Sequence, residues 1–276
     1  MKILVVGAGG FIGSHLCRAL AEAGHEAVRA GLRPVTDWER PEAWRPLLAG
    51  VQGVVYAAGC LRDQAGGVAD LLDLLHHRAP VALAEACEAA GQTADVKRLV
   101  HVSALCGGVS AYARSKHAGE IALAGRACIV RPSLVVGVGG VSSRMLDRLA
   151  RLPWLPLPAE VARCRVQPIR VEDLAAGIVA ALASPQPPSS WTAVGPDAAT
   201  VAEWIARRRA ALGRGPARHI ELPQALTRAS ARLGDLVALG PWCSTALELL
   251  AHDSAEPHAP SPLSRPLRNA MDGAWV

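Results

Sequence analysis

The stretch from Ile3 to Gly13, "ILVVGAGGFIG", restricts what this chain can become more than any other. Ile3, Leu4, Val5 and Val6 end in glycine and read as a short strand buried on both faces. Gly7, Gly10 and Gly13 come next as GxxGxxG, and residues 14–23 carry helical spacing up to Gly24, a natural C-terminal stop. Strand, glycine turn and helix in that order make three demands. They need a tight turn, a backbone close enough to touch a pyrophosphate, and a helix packed hard on its strand. The helix start then offers free N–H groups and a positive dipole end to phosphates. Gly7, Gly10, Phe11, Ile12 and Gly13 are therefore the expected phosphate-side residues of a dinucleotide site.

Beyond Gly24, strands alternate with helices. "HEAVRA" (25–30) reads as a second strand, 39–49 as a helix and "GVQGVVYAAG" (50–59) as a third strand. Residues 68–90 read as a helix with Pro80 as a kink or boundary. A fourth strand (98–104), a helix (112–125) and a fifth strand (127–137) complete the run, which implies right-handed crossovers and a parallel sheet. Residues 138–165 read as an excursion, because "PWLPLP" (153–158) cannot be regular helix or central strand. Order returns at 166–182, where Glu172 and Asp173 open a helix, and a short strand comes after it at 191–194. Two or three helices span 200–250, and 257–266 is a proline-rich extended arm. The expected fold is α/β: a Rossmann-type doubly wound parallel sheet over 1–195, with a small, mainly helical C-terminal lobe and tail over 196–276.

The carboxylate that grips a ribose 2′-hydroxyl belongs at the end of the second strand, near Gly31, where no Asp or Glu stands. Arg33 lies just after and Arg29 just before, which favours a 2′-phosphate and hence NADP, with NAD as second choice. Asp37 has two readings, an adenine contact or a cap for the next helix. Ala57, Ala58 and Gly59 end the third strand with residues small enough for a cofactor to lie across the sheet edge.

Tyr112 and Lys116 stand four apart in a chain with two tyrosines and three lysines. That spacing puts both on one helix face. An ammonium beside a phenol stabilises phenolate, so the pair is expected to lower the tyrosine pKa and pass a proton to or from a substrate oxygen beside a nicotinamide. Read alone, YxxxK is an ordinary exposed pair. Its place after the fourth strand, at the ligand-binding edge of such sheets, gives it chemical meaning.

The net charge of +5 comes almost wholly from scattered arginines, so no basic stripe marks a nucleic-acid surface. Arg207-Arg208-Arg209 is expected to be a solvated helix face, and Arg163 and Arg165 either meet a diphosphate or are solvated. The seven cysteines have no framework spacing, which suggests reduced thiols in a cytoplasmic protein. His76-His77 lacks metal-ligand spacing, and no metal site is expected. The N-terminal glycines make a poor signal peptide, and no apolar run is long enough for a membrane span.

GxxGxxG, "YAAG" after strand three, YxxxK after strand four and "VRPSLVVG" after that together resemble the extended or atypical short-chain dehydrogenase/reductases, the superfamily of NAD(P)-dependent epimerases and dehydratases, over residues 1–182. "KRLVHVSAL…YARSKHAGE" and "CRVQPIRVEDLA" look closest to the branch containing the nucleotide-binding accessory subunit of respiratory complex I. The resemblance implies Tyr112 as acid/base, Lys116 as ribose and pKa partner, Pro132 and Ser133 beside the nicotinamide, and a C-terminal substrate lobe. One departure stands out: the substrate-binding Ser-Ser or Ser-Thr pair reads Ser103-Ala104 here, leaving Ser103 or Ser110 to supply the hydroxyl. Two functions are compatible with these residues. One is an oxidoreductase or epimerase/dehydratase acting on a small or nucleotide-linked substrate, with a homodimer compatible. The other is a silent NADP(H)-binding structural or redox-sensing protein.

Overall fold

A computed structural model of the chain describes residues 1–31, 37–62, 70–91, 98–237, 242–256, 259–263 and 265–271. Its first half alternates β1 (Lys2–Val6), α1 (Phe11–Glu22), β2 (Glu26–Ala30), α2 (Pro41–Trp44, continued by a 3-10 turn Arg45–Leu48) and β3 (Gly53–Tyr56). Next come α3 (Leu71–Asp73), a π-helical turn (Leu74–Arg78), α4 (Ala79–Gly91), β4 (Leu99–Val102), α5 (Ala111–Ala122) and β5 (Cys128–Pro132). The second half runs β6 (Val135–Val136), α6 (Val141–Arg151), β7 (Trp154–Leu157), α7 (Ala159–Arg163), β8 (Arg165–Val166), β9 (Ile169–Arg170), α8 (Val171–Ala183) and β10 (Ser190–Ala193). It ends with β11 (Ala199–Thr200), α9 (Val201–Ala211), β12 (Arg218–Glu221), α10 (Gln224–Val237) and α11 (Ser244–Leu249).

Six parallel strands form the central sheet in the order β10-β5-β4-β3-β1-β2, the Rossmann-like α/β arrangement expected from the sequence. β1 is buried along its length because helices cover both faces. Ile3 and Val5 point to α1 and α8, whose Leu16, Leu20, Leu174 and Ile178 meet them. Leu4 and Val6 point the other way, into a cluster with Trp44, Leu83 and Ala79. A strand covered on both sides has no polar face to keep, which is why "ILVV" carries no alternation. Strand order reverses at β1: the chain steps outward to β2, then returns past β1 to β3. The crevice at the carboxyl ends of β1 and β3 is the ligand position such sheets create.

The helix predicted over 68–90, described from Leu71, carries its irregularity where Pro80 predicts a kink or boundary, as the π-helical turn just before it. Pro80 supplies the reason, since its ring collides with the carbonyl four residues back and it has no N–H to donate. That carbonyl belongs to His76, in the middle of the π-turn. It faces α5, and a Cβ on Gly119 would stand 2.0 Å from it. The π-turn and α5 therefore pack with no room for a side chain between them.

The excursion shares one apolar cluster with the C-terminal residues, built by Leu146, Leu157, Val161, Trp204 and Ile205 among others. Within "PWLPLP", Trp154–Leu157 form β7, which as expected is no strand of the central sheet. It pairs only with β12 among the described residues, so Pro156 interrupts no central ladder. The arginine run is not a solvated face. Arg208 pairs with Asp147 at 2.7 Å, and buried Arg209 donates to the carbonyls of Ala150, Leu152 and Gly215. Arg207 lies over Trp204, and Arg163 and Arg165 are exposed. The described residues of the proline-rich arm form no helix or strand. Arg265 and Arg268, at and just beyond its end, are held by buried Asp173 in the first turn of α8. No described helix is long and apolar enough to cross a membrane.

Gly119→Ala is expected to destabilise the protein by about 1–3 kcal/mol, because the new methyl meets backbone rather than a movable side chain. Urea unfolding of the two proteins measures it.

Candidate active site

The glycine loop is shaped by what a side chain would strike. Gly7 has φ +84°, and a Cβ there would lie 2.8 Å from the Ala58 nitrogen and 2.9 Å from the Ala57 carbonyl carbon. A Cβ on Gly13 would lie 2.2 Å from the Gly7 oxygen. The loop is thus pressed onto the end of β3 on one side and onto α1 on the other. Gly10 caps α1 with no side-chain bond, leaving the first-turn N–H groups free for an anion. Half-buried Phe11 packs its ring edge against His15, and a Cβ on Gly140 would lie 2.9 Å from Phe11 Cζ. Ile12 leans into the sheet core. A loop drawn this tightly onto β3 and α1, with the N-terminus of α1 left without a side-chain cap, fits a dinucleotide pyrophosphate.

Ala57, Ala58 and Gly59 continue the edge toward Tyr112 and Lys116. A Cβ on Gly59 would lie 3.5 Å from Lys116 Nζ and 2.9 Å from His76 Nε2. Ser110 is the N-cap of α5, accepting from the Ala113 N–H at 3.1 Å, which fixes the helix start two residues before Tyr112. Lys116 Nζ donates to the Val102 carbonyl at 3.2 Å and stands 5.9 Å from the Tyr112 ring centre. Burial pulls the Lys116 ammonium down to about 8, against smaller upward pulls from Cys106, Cys60 and Glu120. Tyr112 departs from expectation: burial, with Cys106 and Cys60 adding to it, pushes its phenol up, not down. Burial disfavours the charged phenolate, and no neighbour among the described residues offsets it.

In the sequence His76 is set aside as a metal ligand for want of ligand spacing and given no other role. Its actual role is positional. The Cys60 N–H donates to Nε2 at 3.2 Å, so Nδ1 carries the proton and donates to Ser115 Oγ at 2.9 Å. Ser115 Oγ in turn donates to the Tyr112 carbonyl at 2.9 Å. The ring also meets Tyr112 edge-on at 5.1 Å. One neutral imidazole, its pKa dropped to about 2 chiefly by burial, therefore ties the end of β3 to α5. The sequence signal is Pro80, four residues on. Tyr56, at the end of β3, is a core residue whose hydroxyl donates to the Leu75 carbonyl at 2.8 Å.

Ser103 comes directly after Val102, the residue whose carbonyl holds Lys116. Its Oγ is buried and has no partner. Ser110 Oγ is held at the start of α5 by its capping bond. Pro132 ends β5 with its carbonyl accepting from the Leu105 N–H at 2.8 Å. Ser133 is engaged by the C-terminal segment: its Oγ donates to the Ser254 carbonyl and accepts from the Gln167 N–H at 3.3 Å. Glu248 of α11, which no sequence motif marks, accepts from the Val109 N–H at 2.8 Å and from the Ser110 N–H, clamping the loop that leads into α5. Asp37 is exposed and caps nothing with its side chain, only its carbonyl accepting from the Arg40 N–H. Arg33 lies outside the described residues. Arg29, at the end of β2, donates to the Ala8 carbonyl at 3.1 Å and so lies along the glycine loop.

A glycine-lined crevice at the reversal point of a parallel sheet, with a Tyr–Lys pair at its far end, defines a nicotinamide-dinucleotide protein of Rossmann type. More narrowly, the chain belongs to the NAD dependent epimerase/dehydratase family, which residues 3–192 match. It is 33% identical over 204 residues to a ceramide reductase of Caulobacter vibrioides, covering 66% of this chain and 61% of that protein, less than two thirds of the relative's length. Its fold resembles a dTDP-4-dehydrorhamnose reductase of Bacillus anthracis in complex with NADP, with TM-score 0.67, 16% identity and 80% and 84% of the two chains covered. It also resembles a Thermus thermophilus UDP-glucose 4-epimerase in complex with NAD, with TM-score 0.61, 20% identity and 91% and 98% covered.

The lowered Lys116 pKa has a stability signature. The folded chain releases this proton near pH 8 and the unfolded chain near its ordinary 10.5, so between them the unfolded state binds more protons and the contribution to stability rises with pH. Unfolding free energies across that window are expected to rise more steeply for the wild type than for Lys116→Met.

Proposed function

We propose that the chain is an NADP(H)-preferring oxidoreductase that reduces a substrate carbonyl to an alcohol, with Tyr112 as proton donor and Lys116 as its partner. The observation that carries this reading is the meeting of Lys116, Tyr112 and Gly59 at one end of the glycine-lined crevice. The nicotinamide, when bound, supplies hydride to the carbonyl carbon. The raised phenol pKa keeps Tyr112 protonated at neutral pH, as an acid that gives its proton to the developing alkoxide must be. Lys116, charged below about 8, sits beside the phenolate that remains and can bond the ribose hydroxyls. Ser103 Oγ, buried without a partner, is the hydroxyl available to bond the substrate oxygen, a task for which Ala104 has no group. The relative named as a reductase favours reduction over epimerisation. Arg29 along the glycine loop and Arg33 next to it in sequence support a 2′-phosphate.

A second reading, binding of NADP(H) without turnover, rests on Ala104 and on the finer resemblance to the accessory-subunit branch. The unpartnered Ser103 hydroxyl speaks against it.

Tyr112→Phe is expected to lower kcat for NADPH-dependent reduction by about 10²–10⁴-fold while leaving the NADPH Kd within about twofold. Unchanged turnover would remove Tyr112 from the mechanism. In calorimetric titration NADPH is expected to bind more tightly than NADH, with Arg33→Ala narrowing the gap. Equal affinities in the wild type would withdraw the NADP preference.

A further inference from the structure

A second cavity, of about 420 Å³, lies in the C-terminal lobe. Met145 and Leu149 of α6, Leu157 of β7, Leu249 of α11 and Trp242 are among its walls. No charged side chain lines it, and its hydroxyls are those of Ser142 and Ser230. Ser230 is already committed, donating to the Thr227 carbonyl at 2.9 Å and accepting from Trp242 Nε1 at 3.2 Å. Two of its wall residues are sequence neighbours of residues assigned to the cofactor site. Leu61 stands two residues beyond Gly59, and Leu134 comes directly after Ser133. A diphosphate would need cations there. No arginine is among its wall residues: Arg208 is on Asp147, Arg209 on three carbonyls, Arg163 and Arg165 are exposed, and Arg62, next to Leu61, donates to the Trp242 carbonyl at 2.9 Å.

We infer that this cavity holds the unbranched aliphatic chain of the substrate. The substrate class is then a long-chain carbonyl compound, not a nucleotide-linked sugar. The reaction assigned to it rests on the function proposed above, but the chain site itself does not. Apolar walls of this kind reward each methylene that leaves water, by about fourfold in Kd. A polar sugar would strand its hydroxyls against leucine.

Binding without chemistry tests it. Primary alkanols from hexanol to tetradecanol are titrated into the NADPH-loaded protein, with a brominated dodecanol as quencher of tryptophan fluorescence. Affinity is expected to rise about fourfold per methylene until the cavity fills. Quenching by the brominated chain is expected to fall in Trp242→Phe. Met145→Trp, which fills the space, is expected to weaken dodecanol binding at least about tenfold with NADPH binding retained. Leu149→Asp, which places a charge in it, is expected to do the same. Affinity independent of chain length, dodecanol binding unchanged in Met145→Trp, or displacement of the brominated chain by UDP-glucose would each overturn the chain site. The two readings fail separately. Chain-length-dependent binding with Tyr112→Phe turnover unchanged leaves the chain site standing and removes the mechanism. Loss of turnover in Tyr112→Phe without alkanol binding does the reverse.

Discussion

The contact between Gly7 and the backbone of Ala57 and Ala58 is the constraint on which the rest of the structure depends. The loop after β1 can lie on the end of β3 only because no Cβ intervenes, and Gly13 can lie on Gly7 for the same reason. Remove that approach and α1 cannot aim its free N–H groups into the crevice, nor can β3 deliver Ala57 to Gly59 to the same place. The cofactor position is thus set by backbone against backbone, before any polar side chain takes part.

From that edge a second set of close approaches carries order to the reacting groups. Pro80 follows a π-helical turn, the His76 carbonyl in that turn meets Gly119, and the His76 ring joins Cys60 to Ser115. Lys116 is buried as a result. Burial of an ammonium is unfavourable, and its lowered pKa records that cost. The protein tolerates it because the Val102 carbonyl accepts one of its protons and nearby thiols lean its way. A phenol held in its neutral form thus stands beside an ammonium that burial inclines to lose its proton.

Much of this is legible in the sequence, for reasons that can be named. Glycine spacing, β-branched runs and the helix stop at Gly24 are local signals, and they locate the sheet, the crevice and the Tyr112–Lys116 face. Local signals cannot report burial. The direction of the Tyr112 shift reverses once desolvation is counted, and Arg208 and Arg209 leave solvent because Asp147 and the carbonyls of Ala150 and Leu152, some sixty residues earlier, lie against α9. His76 and Glu248 act through partners 16 to 139 residues away, a separation no motif spans. Pro80 reads as a boundary, but what its ring would strike is decided by the fold.

Glu248 and Ser254 also impose an order in time. The strands that build the cofactor crevice are complete once Ala193 has left the ribosome, whereas the groups that hold the loop before Tyr112 and the hydroxyl of Ser133 are translated some fifty to sixty residues later. A nascent chain can therefore own a finished dinucleotide pocket while the wall facing the substrate is still open. Residues translated well after the sheet are what close it.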